Sequence, residues 1–380
     1  MSKLEELINK LCPNGVEFLQ LRNLVEFTNG KGHEKVVEEN GQYILITSKA
    51  ISTNMEQVRR INKILTPLYK DDIAMVMSDL PNGKTLAKCF IVDENDKYAL
   101  NQRVCGLKIK ESRQLLSKFL FYILNRNSQL LRYDNGVDQT NLRKDDILNI
   151  SIPLPPLEVQ CEIVRILDNF TLLSAELSAE LSARQKQYEY YSKELFNFND
   201  DVEFISLESI ADIGTGSSNT NEAVEDGQYP FYVRSQQVYY KNNYEYDDNS
   251  IITSGDGVGV GKIFHYTDGK YALHQRAYRI NITNNKVNSK YFYYYMKSTF
   301  YDYIQKNAFN SSVTSIRRPM LNKYPVPILS LEKQNKIVNI LENFDKLCND
   351  ISEGLPAEIE ARKKQYEYYR DKLLTFKELK

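Results

Sequence analysis

Histidine is nearly absent from this chain: His33, His265 and His274 are the only three in 380 residues. None stands in a helical H-E-x-x-H pair, and the five cysteines (Cys12, Cys89, Cys105, Cys161, Cys348) form no C-x-x-C pair. Neither the ligand spacing of a metal centre nor a disulfide framework is therefore expected, and a reducing cytoplasm fits. No apolar run approaches the roughly 18 residues of a membrane span. The opening MSKLEELINK carries charges where a signal peptide needs an apolar core. Net charge is missing too. At -1, with a pI near 6.4, the average field attracts neither nucleic acid nor an anionic membrane. Catalytic motifs are equally scarce, with no G-x-S-x-G elbow and no Asn-Pro-Pro tetrad. The glycine-rich run from Ser254 to Lys262 fails as a phosphate loop, because Asp256 takes the place of the first glycine and Ile263 that of the Ser or Thr after the lysine. As a dinucleotide fingerprint it lacks the third glycine, where Lys262 stands, so a tight turn is the better reading. The residues outline no active site, no metal site and no cofactor site in this chain.

What the chain does contain, it contains twice. Val16-Glu17-Phe18 returns as Val202-Glu203-Phe204 and Gly41-Gln42-Tyr43 as Gly227-Gln228-Tyr229, both at a shift of 186 residues. Tyr98-Ala99-Leu100-Asn101-Gln102-Arg103 returns as Tyr271-Ala272-Leu273-His274-Gln275-Arg276, and Gln187-Tyr188-Glu189-Tyr190-Tyr191 as Gln365-Tyr366-Glu367-Tyr368-Tyr369. Repeats of this length are tandem domains, not solenoid units. The neutral average also hides a recurring asymmetry. Residues 97–144 carry ten Lys/Arg against three Asp/Glu, and their duplicate, 262–323, carries eleven against two. A single charge run is commonly solvated surface, but recurrence at one place in both copies favours a role.

Each copy begins with short β-type runs, such as Tyr43-Ile44-Leu45-Ile46 and Ser250-Ile251-Ile252-Thr253, punctuated by Pro81-Asn82-Gly83 and Ser254-Gly255-Asp256-Gly257. Helical stretches follow at 114–132 and 290–306, with Phe119, Tyr122 and Ile123 against Tyr291, Tyr294 and Tyr295 at three and four spacing. At that spacing the tyrosine cluster reads as core more readily than as a base-stacking surface. A proline-bounded connector then leads each copy into a long helix. In the first, Ile163, Leu167, Phe170, Ser174, Leu177, Leu181, Arg184, Tyr188, Tyr191 and Leu195 form a heptad seam. The second repeats it with Ile337, Leu341, Phe344, Cys348, Ile351, Leu355, Ile359, Arg362, Tyr366, Tyr369, Leu373 and Phe376, four residues having been inserted as a stutter. Gly354 and Pro356 lie in that insertion and predict a kink near Leu355.

Together these motifs resemble the specificity (S) subunits of Type I restriction-modification systems, over the whole chain. The resemblance is carried by Leu11-Cys12-Pro13-Asn14-Gly15-Val16-Glu17, by Ile152-Pro153-Leu154-Pro155-Pro156-Leu157-Glu158-Val159-Gln160, by Leu331-Glu332-Lys333-Gln334 and by the doubled Tyr-Glu-Tyr-Tyr tail. The pair Ser174-Ala175-Glu176-Leu177 and Ser178-Ala179-Glu180-Leu181 is similar to that family's four-residue spacer repeat. The expected fold is α+β: two similar target-recognition domains separated by two long antiparallel coiled-coil helices, pseudo-twofold symmetric. Its segments would be 1–156 (first domain, with a short N-terminal helix), 157–199 (central helix), 200–329 (second domain) and 330–380 (C-terminal helix). The resemblance implies a non-catalytic, sequence-specific subunit that reads a bipartite double-stranded DNA target and docks two methyltransferase (M) subunits and, where present, restriction (R) subunits. S-adenosylmethionine, ATP and Mg²⁺ would belong to those partners.

Residues shared by both copies cannot distinguish different half-sites, so Lys88, Gln102, Arg103 and Arg143, with Lys262, Gln275, Arg276, Arg317 and Arg318, are assigned to phosphate contact or positioning. Base reading is assigned to positions that differ: Lys49, Asn82, Lys84, Asn101, Gln139 and Asn141 in the first copy, and Arg234, Asp256, His274, Ser312 and Ser315 in the second. The alternative from another class is a coiled-coil scaffold whose duplicated domains bind proteins without DNA specificity. Binding through phosphates would fall steeply with salt, and a pure scaffold would show no such dependence.

Overall fold

Gly41 and Gly227 each open the same arrangement of strands. In the computed structural model, which describes residues 3–81, 83–198, 202–307 and 315–379 (for Glu34 the backbone alone), Tyr43–Ile46 pairs antiparallel with Arg59–Ile61 and parallel with Tyr98–Leu100. Tyr229–Tyr232 pairs in the same senses with Tyr239–Lys241 and with the end of Phe264–Leu273. A Cβ on Gly41 would stand 2.5 Å from the Ile61 nitrogen, and one on Gly227 2.5 Å from the Lys241 nitrogen. Only glycine admits this approach, which is why it recurs.

The chain packs as two units, residues 1–175 with 360–380, and residues 176–359. In the first unit the antiparallel order is Val25–Asn29, Val104–Ile109, Ile73–Val76, Cys89–Ile91, beside a second four-stranded sheet built around Tyr43–Ile46 and Tyr98–Leu100. In the second unit the equivalent strands form one six-stranded sheet, because Phe264–Leu273 runs unbroken where the first unit divides its counterpart into Cys89–Ile91 and Tyr98–Leu100. The division lies at a polar turn: Asp71 and Asp96 take positive φ, and the Lys70 and Tyr69 N–H groups donate to Asn95 and Asp72. A short antiparallel pair brings the ends of each module together, Glu17–Gln20 with Ser151–Leu154 and Phe204–Ser206 with Pro325–Pro327.

The cores follow the apolar spacing. In the second unit, Tyr291, Phe292, Met296, Phe300 and Ile304 of the Ser289–Asn307 helix are fully buried, and Tyr294 and Tyr295 nearly so. The stretch 114–132 is not one helix. It divides into Ser117–Leu124 and Ser128–Leu131 at Arg126, whose φ is +59° and whose N–H donates to the Ala87 carbonyl. A tertiary hydrogen bond overrides helical propensity there.

The central helix spans Leu157–Glu194. Its first-turn Gln160 is fully buried: Leu116 N–H donates to Oε1, and Nε2 donates to the Gln114 and Pro155 carbonyls. Gln334 does the same in the Leu331–Asn349 helix, with Asn288 N–H, the Lys286 carbonyl and the Leu329 carbonyl. The two repeated Leu-Glu-x-Gln motifs are thus clamps between a helix and its own module.

Of the seam, Ile163, Leu167, Ile337 and Leu341 are buried, and Phe170, Leu177, Leu181, Tyr188, Phe344, Ile359 and Tyr366 half-buried, while Tyr191 and Tyr369 lie at the exposed margin. Within the first unit Phe170 stacks on Tyr369, centroids 5.6 Å apart. Within the second, Tyr188 and Tyr191 meet Phe344 at 6.2 and 5.9 Å. Arg184 lies within electrostatic reach of Cys348 while Tyr188 and Tyr191 meet Phe344, so these two segments run antiparallel.

Two expectations need correction. Ile351 does not belong to the seam; it is 86% exposed in a turn. Nor is there a kink in a continuous helix. One helix ends at Asn349 and another, Leu355–Leu373, begins after it. Asp350 Oδ1 accepts the N–H groups of Ser352 and Glu353, stopping the first, and a Cβ on Gly354 would lie 2.6 Å from the Lys346 and Asp350 carbonyl oxygens. Pro356 falls in the first turn of the new helix, where a missing N–H costs little.

Candidate nucleic-acid interface

Strand register fixes which residues correspond. Val76 lies beside Val104, and Ser254 beside Ala277; Met75 pairs with Cys89, and Thr253 with Phe264. Counting from these pairs, Ser78 is the counterpart of Asp256, Leu80 of Val258, Asn141 of Ser315, Arg103 of Arg276, and Arg143 of Arg317. The pairing of Ser78 with Asn141 and the isolated bridge between Asp256 and Ser315 agree with that count. One sequence pairing, Lys88 with Lys262, is corrected by it. Lys88 corresponds to Ile263, one residue from Lys262.

In the first unit these residues gather at one end of the sheet. The loop leaving Ile73–Val76 is shaped by Asp79, whose carboxylate accepts the N–H groups of Leu80, Thr85 and Leu86 at 2.9, 2.7 and 3.1 Å. Partial burial alone would raise the Asp79 pKa, but these hydrogen bonds, with one from the Thr85 side chain, hold it below the ordinary carboxylate value. Gln139 Nε2 donates to Ser78 Oγ at 2.8 Å and to Asn141 Oδ1 at 3.2 Å. The Arg103 carbonyl accepts the Met77 N–H, while the Gln102 and Arg103 side chains are exposed, as are Lys84, Gln139, Asn141 and Arg143. Arg143 also caps a short helix, its N–H donating to Asp146.

Lys49 is exposed on the adjoining short helix, Ser48–Ser52. Lys88 turns inward: Nζ donates to the Ser52 carbonyl and Asn54 Oδ1, and burial lowers its pKa. Asn101 is half-buried with its Oδ1 unpaired. Asn82 and Ser312 lie outside the described residues.

The second unit builds the same end around an acid between two arginines. Asp256 accepts Arg234 Nη1 at 2.7 Å and Arg276 Nη1 at 3.0 Å. Burial would raise its pKa, but Arg234 and then Arg276 outweigh that and keep it ionised below the ordinary aspartate value. One acceptor site on each carboxylate oxygen is thereby taken, so Asp256 aims both guanidiniums. The arginine side chains keep 39% and 61% of their surface exposed, enough to meet phosphate or a guanine edge. Gln275 Nε2 donates to Asn219 Oδ1.

His274 lies beneath this surface. It is 4% exposed, its Nδ1 accepts the Arg276 N–H, and burial followed by nearby Arg234 lowers its pKa. It supports the Gln275-Arg276 turn from beneath. Arg317 and Ser315 are exposed; Arg318 donates to the Ile213 carbonyl, and Lys262 lies over the Tyr301 ring at 5.2 Å. A cleft of about 340 Å³ lined by Thr220, Arg234, Ser235, Asp256 and Gly257–Gly259 opens beside them.

Sequence reasoning missed Asp79, Leu80 and Val258. The only signal for them was their place beside the turn residues Pro81 and Gly257. All three histidines are engaged in the fold; His33 is clamped by the Lys31 carbonyl and the Leu65 N–H, and His265 by the Ser235 carbonyl. Among the described residues no group of three possible metal ligands comes together, and no helix is long and apolar enough to cross a membrane.

A twice-built module, presenting arginines, lysines and amides at one sheet end and clamped by glutamine to a long helix, defines a tandem recognition protein. Residues 13–184 and 199–361 both match the family described as the Type I restriction modification DNA specificity domain, and the chain belongs to that family. It is 32% identical, over 74% of its length and 77% of the relative's, to a putative type I restriction enzyme specificity subunit of Haemophilus influenzae. It is 33% identical, over 70% and 72%, to the EcoR124I/EcoR124II specificity subunit of Escherichia coli. Among solved structures, the S subunit from M. genitalium covers 99% of both chains with a TM-score of 0.59 at 17% identity. A chain from a study of complex assembly and conformational transition in the type I R-M system covers 96% of this chain and 98% of its own, with a TM-score of 0.61 at 15% identity. The fold is shared over the whole length.

Proposed function

We propose that this chain is the DNA-reading subunit of a Type I restriction-modification complex. The domains 1–156 and 200–329 each read one half of a bipartite sequence, and the long helices set the gap and dock two methyltransferase subunits. Restriction subunits, where present, complete an ATP-dependent endonuclease. The chain itself is non-catalytic and acts in the cytoplasm; S-adenosylmethionine, ATP and Mg²⁺ belong to the partners. The observation that carries this reading is the recurrence, at register-equivalent positions, of Arg103 and Arg276 and of Asn141 and Ser315 on exposed sheet ends. Arginine supplies positioning contacts to phosphate, and the differing amide and hydroxyl groups supply discrimination. Comparing the methylated motifs of cells with and without the gene, the partner methyltransferase being present in both, tests it. Loss of methylation at one bipartite motif is expected, and an unchanged methylome contradicts it.

A further inference from the structure

Two strongly exposed aliphatic side chains, one at each reading end, occupy the same place in the duplicated fold. Leu80 is 67% exposed and Val258 is 99% exposed, and each lies four residues beyond the equivalent strand positions Val76 and Ser254. A single exposed aliphatic residue needs no explanation. Two at register-equivalent tips do, because these loops share almost no sequence: Ser78-Asp79-Leu80-Pro81 in one, Asp256-Gly257-Val258-Gly259 in the other. Each tip is held up by its own device. Asp79 ties down the backbone on both sides of Leu80, and the Gly83 N–H donates to the Leu80 carbonyl at 2.9 Å. Gly257, at φ +81°, turns Val258 outward, and Val258 lines one cleft with Arg234 and Asp256.

Resting on the reading of this chain as a DNA-specificity subunit, we propose that Leu80 and Val258 are specificity-determining residues, each contacting the 5-methyl group of a thymine in the major groove of its own half-site. The methyl is the one apolar feature of a base edge in that groove, which is wide enough for a loop between two strands. The arginines beside Val258 carry cationic groups suited to the flanking phosphates. Val137 is also exposed at this end of the first unit, but its position in the second copy lies outside the described residues.

The test uses the full chain in complex with its methyltransferase, and duplexes carrying its methylated motif with one thymine at a time replaced by deoxyuridine, which removes only the methyl. At one thymine in each half, affinity falls about fourfold, the effect of one methyl-sized apolar contact. Val258→Ala abolishes that sensitivity in one half only, and Leu80→Ala in the other, with the salt dependence of binding unchanged. A half-site with no required thymine, no response to deoxyuridine at any thymine, or variants that weaken binding while the wild-type response to deoxyuridine persists would each overturn the proposal. If the wild-type complex methylates no bipartite motif at all, the parent reading fails instead. The variants alter only exposed loop tips, and a melting curve shared with the wild type separates loss of contact from loss of fold.

Discussion

Gln160 and Gln334 show how much one side chain can hold. Each is a neutral amide with no exposure, and each satisfies three backbone groups of its own module. Replacement by leucine keeps the volume but strands an N–H and two carbonyls, at about 1–3 kcal/mol for each group left unpaired. Gln160→Leu and Gln334→Leu are therefore expected to lower stability by roughly 3 kcal/mol or more, read by urea unfolding; a change below about 0.5 kcal/mol, the size of an ordinary surface substitution, would contradict the clamp.

Glu162 ties the N-terminal helix to the central one, pairing with Arg165 and Lys3 while keeping only 4% of its side chain exposed. The Arg165 hydrogen bonds, opposed by desolvation and aided by Lys3, lower its pKa from 4.5 to about 2. The folded-state value lies below the unfolded one, so this contribution is complete above about pH 4.5 and is lost as pH falls toward 2. Unfolding midpoints measured across that window should fall less for Glu162→Gln than for the wild type; parallel curves would remove the assignment.

At the scale of elements, the long helices combine a legible seam with a break the periodicity did not specify. Four- and three-residue steps marked Ile163, Leu167, Ile337 and Leu341, all buried. Ile351 fitted the pattern yet is exposed, because the Asp350 carboxylate caps the turn that carries it. A local side-chain hydrogen bond is invisible to hydrophobic periodicity. The same holds for Arg126, whose positive φ is set by a carbonyl 39 positions away, at Ala87. Motif spacing, in contrast, marked which segments of the two copies correspond, because the repeated glycines are demanded by backbone contact. It failed by one residue at Lys88 and Lys262, where a matching lysine hid the register set by Cys89 and Phe264. Residue type alone marks Asp256 and His274 as able to bond a base, and it carries no sign that Asp256 pairs with two arginines or that His274 accepts the Arg276 N–H. For the spacer itself, adding a third Ser-Ala-Glu-Leu after Leu181 should lengthen the central helix by roughly 6 Å at 1.5 Å per residue. The unspecified gap in the methylated motif is expected to widen by one to two base pairs, and an unchanged gap would deny these helices the spacing role.

For the whole molecule, duplication is the central fact. Both modules begin and end on one antiparallel pair, Glu17–Gln20 with Ser151–Leu154 and Phe204–Ser206 with Pro325–Pro327, so each can be exchanged at neighbouring strand ends. The most direct measurement is the motif methylated by a chain in which residues 204–327 are replaced by a second copy of residues 18–153, co-expressed with the partner methyltransferase. If each domain reads its own half, the new motif carries the first half-site twice, once on each strand, and the other half-site disappears. Methylation that still requires both original half-sites would contradict the account.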